Sequence, residues 1–184
     1  MEALDALLHR VSVPRLHDPA PDEAQRQLLF RAAFRAPDHG QLRPWRFLTI
    51  EGTARERLGE LFAQAVATGG GKPEMLAKAR AMPLRAPLLV AVIVSPKMHF
   101  KVPESEQILS AGCAAHAIVI AAHALGLGAM WRSGDLSHDP VVKAGLGLGS
   151  HEQIVGFIYL GSAEGDRRTP PELDPAQFVA AWQG

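Results

Sequence analysis

The chain has 184 residues, with 19 basic residues balancing 19 acidic ones, which fits one domain spanning residues 1–184 with a substantial core. That neutral balance, with Arg167-Arg168 as the only adjacent basic pair, excludes the electrostatic footprint of a nucleic-acid binder and of a polybasic membrane-surface segment. A single cysteine, Cys113, excludes an intramolecular disulfide and points to a reducing cytoplasm.

The start, Met1-Glu2-Ala3 with Asp5 close behind, does not read as a signal peptide. Leu4 to Leu8 predict a short helix ending at His9-Arg10, and His17-Asp18-Pro19-Ala20-Pro21 a turn-rich connection. Pro21 or Asp22 then starts a helix with the apolar stripe Leu28, Leu29, Ala32 and Ala33, ending before Pro37. Phe47 to Ile50 read as a strand closed by Gly52. Thr53 and Glu56 stand at capping-box spacing for the next helix. Gly69-Gly70-Gly71 breaks that helix, and Pro73 to Arg80 form another. Leu88 to Val94 is a continuous branched apolar run, the pattern of a fully buried strand.

Pro103 suits the first turn of a long helix, with Glu104 and Glu106 at its positive end. From Gln107 to Trp131 there is no Asp, Glu, Lys or Arg. Its Ala and Gly content, His116 and His123, and the lack of a Lys/Arg-rich flank argue against a membrane span. The stretch predicts a central helix buried on nearly every side, by its own domain or by a partner subunit. Gly126 and Gly128 end it, Ala129 to Trp131 begin a short strand, and Ile154 to Leu160 form the last clear strand. Pro175 to Trp182 is a candidate terminal helix. The order is mixed α and β, with one central sheet flanked by helices.

Three segments carry the candidate chemistry. Arg10-Val11-Ser12 offers a planar guanidinium, a hydroxyl and backbone donors suited to a phosphate, or else a solvated helix end. Arg35 to Phe47 must leave a helix, turn at Asp38 and Gly40, and feed Pro44-Trp45 into a strand. That loop can place Arg35 and His39 in a cleft, or be a polar turn with a packed tryptophan. Trp131-Arg132-Ser133-Gly134 follows the long helix, and Gly134 permits close approach of the main chain.

Other groups read as structural. Cys113 and His116 share a helix face at i and i+3, the proximity a thiol nucleophile needs, but an apolar helix favours a buried cysteine. His116 and His123 are too far apart for a helical metal pair, so no metal is expected. Gly126-Leu127-Gly128 follows a helix, whereas a dinucleotide fingerprint opens one.

The three segments, in order and spacing, resemble the small, YdjA-like members of the nitroreductase family, over nearly the whole chain. The resemblance implies an α+β, nitroreductase-like fold: a central mixed sheet flanked by helices, in an interlocked homodimer. It implies FMN as cofactor and NADH or NADPH as co-substrate, with hydride passing through flavin N5 to a nitroaromatic, quinone or related acceptor by a ping-pong scheme. Arg10, Val11 and Ser12 would hold the FMN phosphate, and Trp131, Arg132 and Ser133 would line the ring. Arg35 and His39 would reach the FMN of the other subunit. The stretch Ala121, Ala122, His123, Ala124, Leu125 and Gly126 matches one associated with nicotinamide binding. Arg15, Arg167 and Arg168 are further candidates for flavin contact. Val11, Gln41 and Arg43 depart from the family's usual Arg, Asn and Gln.

Two other functions are compatible with the residues. A flavin-binding or sensing module could keep the fold without turnover, its acceptor pocket blocked by Gln41 and Arg43. A Cys113–His116 thiol enzyme would need no flavin.

Overall fold

A computed structural model describes the chain except for Glu164, Asp166 and Arg167. Arg167, a candidate phosphate contact, therefore lies outside the described residues. Helix α1 (Ala3–His9) buries only Ala6. Helix α2 (Glu23–Ala33) opens with the reciprocal cap its sequence suits: Asp22 accepts from the Gln25 backbone at 2.8 Å, and Gln25 accepts from the Asp22 backbone at 2.9 Å. Of the expected stripe, Leu29 and Ala33 are buried while Leu28 faces outward.

Strand β1 (Trp45–Glu51) leads into α3 (Thr53–Thr68), which begins without a side-chain cap. The expected Thr53–Glu56 box is absent, because Thr53 is already helical and its hydroxyl accepts from Arg57 at 3.1 Å. Then follow α4 (Pro73–Ala81) and β2 (Leu88–Val94), every residue of which is buried as the sequence run requires.

The long helix is α5 (Glu104–Ala124), and after it come β3 (Gly128–Arg132), α6 (Asp135–His138), α7 (Pro140–Gly145) and β4 (Gln153–Gly161). The tail forms one 3-10 turn, Pro175–Gln177, rather than a helix to Trp182. Phe178, Val179 and Trp182 lie exposed there, so no apolar face is buried that would stabilise so short a helix.

The sheet order is β1-β2-β4-β3, and every pairing is antiparallel. This corrects the expected mixed sheet. The α3 and α4 pair carries the chain away and back between β1 and β2, so β2 returns opposed to β1, whereas one helix would have left them parallel. The strands β2 and β3, joined by α5 alone, do run in the same sense, but β4 lies between them.

Strand alternation divides the core. Leu89, Ala91, Ile93, Phe157 and Tyr159 meet Leu58, Phe62, Ala65 and Val142 on one face. Leu88, Val90, Val92, Ile158 and Leu160 meet Leu29, Ala33, Ala115, Ile118 and Ala122 on the other. Helix α5 is long and apolar enough to cross a membrane by length and composition, and about half of its apolar window is buried against this second face. Leu109, Cys113 and His116 remain outside, so this chain alone does not bury α5 on nearly every side.

Candidate functional site

The site is assembled beside β3, the edge strand. Backbone bonds dock residues 13–17 there: Val13 N–H donates to Ala129 at 3.0 Å, Leu16 to Arg85 at 3.0 Å and His17 to Ser162 at 3.0 Å. Docking brings Arg10 and Ser12 against Trp131 and Ser133, with His116 and Val119 of α5 closing a cleft of about 280 Å³. Neither the Arg10 guanidinium nor the Ser12 hydroxyl has a hydrogen bond or ion pair among the described residues, and no carboxylate lines the cleft. An unpaired guanidinium, a hydroxyl and an imidazole beside an aromatic plane form a donor set for an anionic group attached to a flat ring.

Trp131 is held on three sides. Its indole N–H donates to Val155 O at 3.4 Å, and its ring edge passes 3.9 Å from where a Cβ on Gly112 of α5 would stand. A side chain on Gly156 would collide with the indole. The pairing jumps from Val92–Gly156 to Ile93–Ile154, leaving Val155 as the extra residue of a bulge. Trp131 is 36% exposed, so part of the residue is available to a ligand.

The period of two separates the three residues of Trp131-Arg132-Ser133. Trp131 and Ser133 line the cleft with Arg10, whereas the Arg132 guanidinium lies over the Tyr159 ring at 5.3 Å on the opposite face of the sheet. Only the main chain of Arg132 is left for the Arg10 cleft. His116, weighed from the sequence as a partner for Cys113 but read as structural, is instead a cleft residue together with Val119 one turn on. Cys113 is exposed, contrary to the expected buried thiol, and no hydrogen bond joins it to His116.

Arg35 and His39 lie elsewhere in this chain. Arg35 lines a separate cleft of about 960 Å³ with Phe34, Trp45 and Phe47. His39 Nδ1 is 2.6 Å from Glu106 Oε2, in the first turn of α5. The loop between them is fastened by Asp38, whose carboxylate accepts from the backbones of Leu42 at 3.1 Å and Arg43 at 2.7 Å. Gln41 and Arg43 adopt φ of 51° and 48°. Arg43, immediately before Pro44, stays out of the right-handed helical region and turns left-handed rather than extended.

The segment from Ala121 to Gly126 ends α5. Ala122 and His123 are buried, while Ala124 and Gly126 are exposed. Among the described residues no group of three or more His, Cys, Asp or Glu is placed to hold a metal ion.

The family profile described as Nitroreductase matches residues 7–162. The chain is 43% identical over 180 residues to YdjA of Escherichia coli (strain K12), a proposed NAD(P)H nitroreductase, covering 97% of this chain and 98% of that one. It is 34% identical over 182 residues to a proposed NAD(P)H nitroreductase of Haemophilus influenzae, with the same coverage of 97% and 98%. Among solved structures, a nitroreductase-like family protein from Bacillus cereus superposes with a TM-score of 0.83 at 21% identity, over 100% of this chain and 97% of that one. A structure from Desulfovibrio desulfuricans, described as a nitroreductase in complex with FMN, superposes with a TM-score of 0.76 at 19% identity, over 100% and 99%. With the sheet, the docked N-terminal segment and the match from residue 7 to 162 in agreement, the chain belongs to the nitroreductase family and has its α+β fold.

Proposed function

We propose that the protein is an FMN-dependent NAD(P)H oxidoreductase of the nitroreductase type, acting on nitroaromatic, quinone or related acceptors. The observation that carries this reading is the cleft in which unpaired Arg10 and Ser12 face Trp131 and Ser133. The donors fit the group: a guanidinium and a hydroxyl for the phosphate, and an indole with an open strand edge for the ring. When bound, FMN supplies hydride acceptance and return at N5, which is why no acid or base of the protein is required for that transfer.

The protein binds, orients and shields. Arg10 neutralises phosphate charge, and Ser12 adds a directional donor. Trp131 and the β3 edge give the ring a fixed wall, while Gly134, at φ 122°, supplies a backbone conformation after Ser133 that other residues rarely adopt. NAD(P)H and then the acceptor use the same open face in turn. Ala124 and Gly126 are the exposed positions of the segment we assign to the nicotinamide cofactor.

A cleft of about 280 Å³ is too small to enclose a whole FMN, and a second copy of the chain completes it in this reading. Support comes from apolar surface left uncovered: Leu4, Leu7 and Leu8 of α1, and Leu109 of α5, against which α1 packs. Arg35 and His39 would then close the partner's site.

Steady-state oxidation of NADH and NADPH with a quinone and with a nitroaromatic tests the reading. Parallel double-reciprocal lines are expected. A protein that holds FMN but oxidises neither nucleotide would instead be a flavin-binding module without turnover.

A further inference from the structure

On the far side of β3 from Arg10 lies a second cavity, of about 320 Å³, into which Arg85 and Arg132 both project. Its walls are mostly apolar, with Met82, Met130, Phe157 and Tyr159 among them, and among the described residues no carboxylate lines it. Two other partly buried arginines are matched by carboxylates: Arg26 with Glu51 at 2.8 Å, and Arg46 with Glu152 at 2.6 Å. Among the described residues Arg132 has only the Pro14 carbonyl, at 3.2 Å, and the Tyr159 ring, and its buried Nε has no partner. Arg85 has no side-chain hydrogen bond or ion pair among the described residues. Two guanidiniums sharing one pocket repel each other and pay a desolvation cost that no anion among the described residues offsets. Burial first, and then the Arg85 charge, push the Arg132 pKa down, as expected for cations lacking a counter-ion.

We propose that Arg85 and Arg132 form the charged end of a ligand subsite for a small organic anion, a carboxylate on an apolar body. The guanidiniums take the carboxylate, and Met82, Met130 and Phe157 take the body. Trp131 and Ser133 border both this cavity and the Arg10 cleft, so the bound anion lies beside the flavin site. That placement makes it an acceptor or effector position; this role, though not the binding itself, rests on the flavin reading.

Sodium benzoate is the probe, with benzyl alcohol as its neutral counterpart. Each is titrated calorimetrically into the purified full-length protein, as isolated and after saturation with FMN. Benzoate is expected to bind at least about tenfold more tightly than benzyl alcohol, with and without FMN. Arg85→Gln should weaken benzoate about tenfold or more and leave benzyl alcohol unchanged, and Arg85→Lys should restore part of the loss. A melting curve establishes that each variant is folded, and Arg85→Lys serves if Arg85→Gln is not. The proposal is overturned if benzoate does not bind, if both probes bind equally, or if the folded Arg85 variants bind benzoate as the parent does. It is also overturned if FMN abolishes benzoate binding, which would assign the pair to the cofactor's own phosphate. A protein that takes up no FMN but binds benzoate through Arg85 defeats the flavin reading and leaves the subsite standing.

Discussion

The indole of Trp131 occupies the space that a side chain at Gly156 would fill, across the β3–β4 pairing. Glycine is required at 156 first for room, since a Cβ there would collide with the indole. Gly156→Ala should displace the ring from the cleft wall. We expect a loss of about 1–3 kcal/mol in stability by urea denaturation and FMN binding weakened about tenfold. Full FMN affinity in that variant would show that the indole does not seat the flavin.

Arg10 is the strongest single donor of the cleft. Arg10→Ala removes a charge-assisted contact worth about 1.5–3 kcal/mol, so FMN affinity should fall about ten- to a hundredfold. Arg10 is half-buried with no hydrogen bond or ion pair among the described residues, so the melting temperature of the cofactor-free protein should change little. Fluorescence titration with FMN measures the first effect, and calorimetric melting the second.

Asp38 holds the loop between Arg35 and Pro44 through two backbone donors. Asp38→Ala releases them and leaves the left-handed Gln41 and Arg43 without that support. Stability should drop by about 1–2 kcal/mol. If Arg35 and His39 close the partner's site, KM for the acceptor should also rise. A stability change with unaltered kinetics would confine the loop to a structural role.

Arg46 and Glu152, 106 residues apart, form a two-bonded ion pair at 2.7 and 2.6 Å that ties β1 to the turn before β4. The Arg46 hydrogen bond holds the Glu152 pKa at about 2, below its ordinary 4.5, helped by the Gly149 N–H. A carboxylate depressed in the folded state stabilises fully above its unfolded pKa and loses that contribution as pH falls through the folded one. The pair should therefore contribute roughly 2 kcal/mol at neutral pH, allowing for the partly exposed Arg46, and lose it between about pH 4.5 and 2. Glu152→Gln should narrow its stability gap to the parent over that interval in urea melts. A gap that stays constant with pH would contradict the assignment.

Much of the fold was legible because local signals were strong. The run Leu88 to Val94 is buried throughout, and Asp22 with Gln25 caps α2 where the composition places a start. Helices α6 and α7, of 4 and 6 residues, are too short for periodicity to reveal, although Asp139 before Pro140 marks the second. The nearly uniform apolar pattern of α5 gave no face to distinguish, so neither the exposure of Cys113 nor the place of His116 in the cleft followed from it. The separation of Arg132 from Trp131 and Ser133 was available from strand alternation alone. The Arg46–Glu152 pair, the Trp131–Gly156 fit and the Arg85–Arg132 cavity were not, since each joins residues that only the tertiary fold makes neighbours.

The most direct test of the flavin site is the visible absorption spectrum of the purified protein, with the released chromophore identified and counted. The account predicts a yellow protein carrying about one FMN per chain, reduced in amount by Arg10→Ala. A colourless protein that also takes up no added FMN would contradict it.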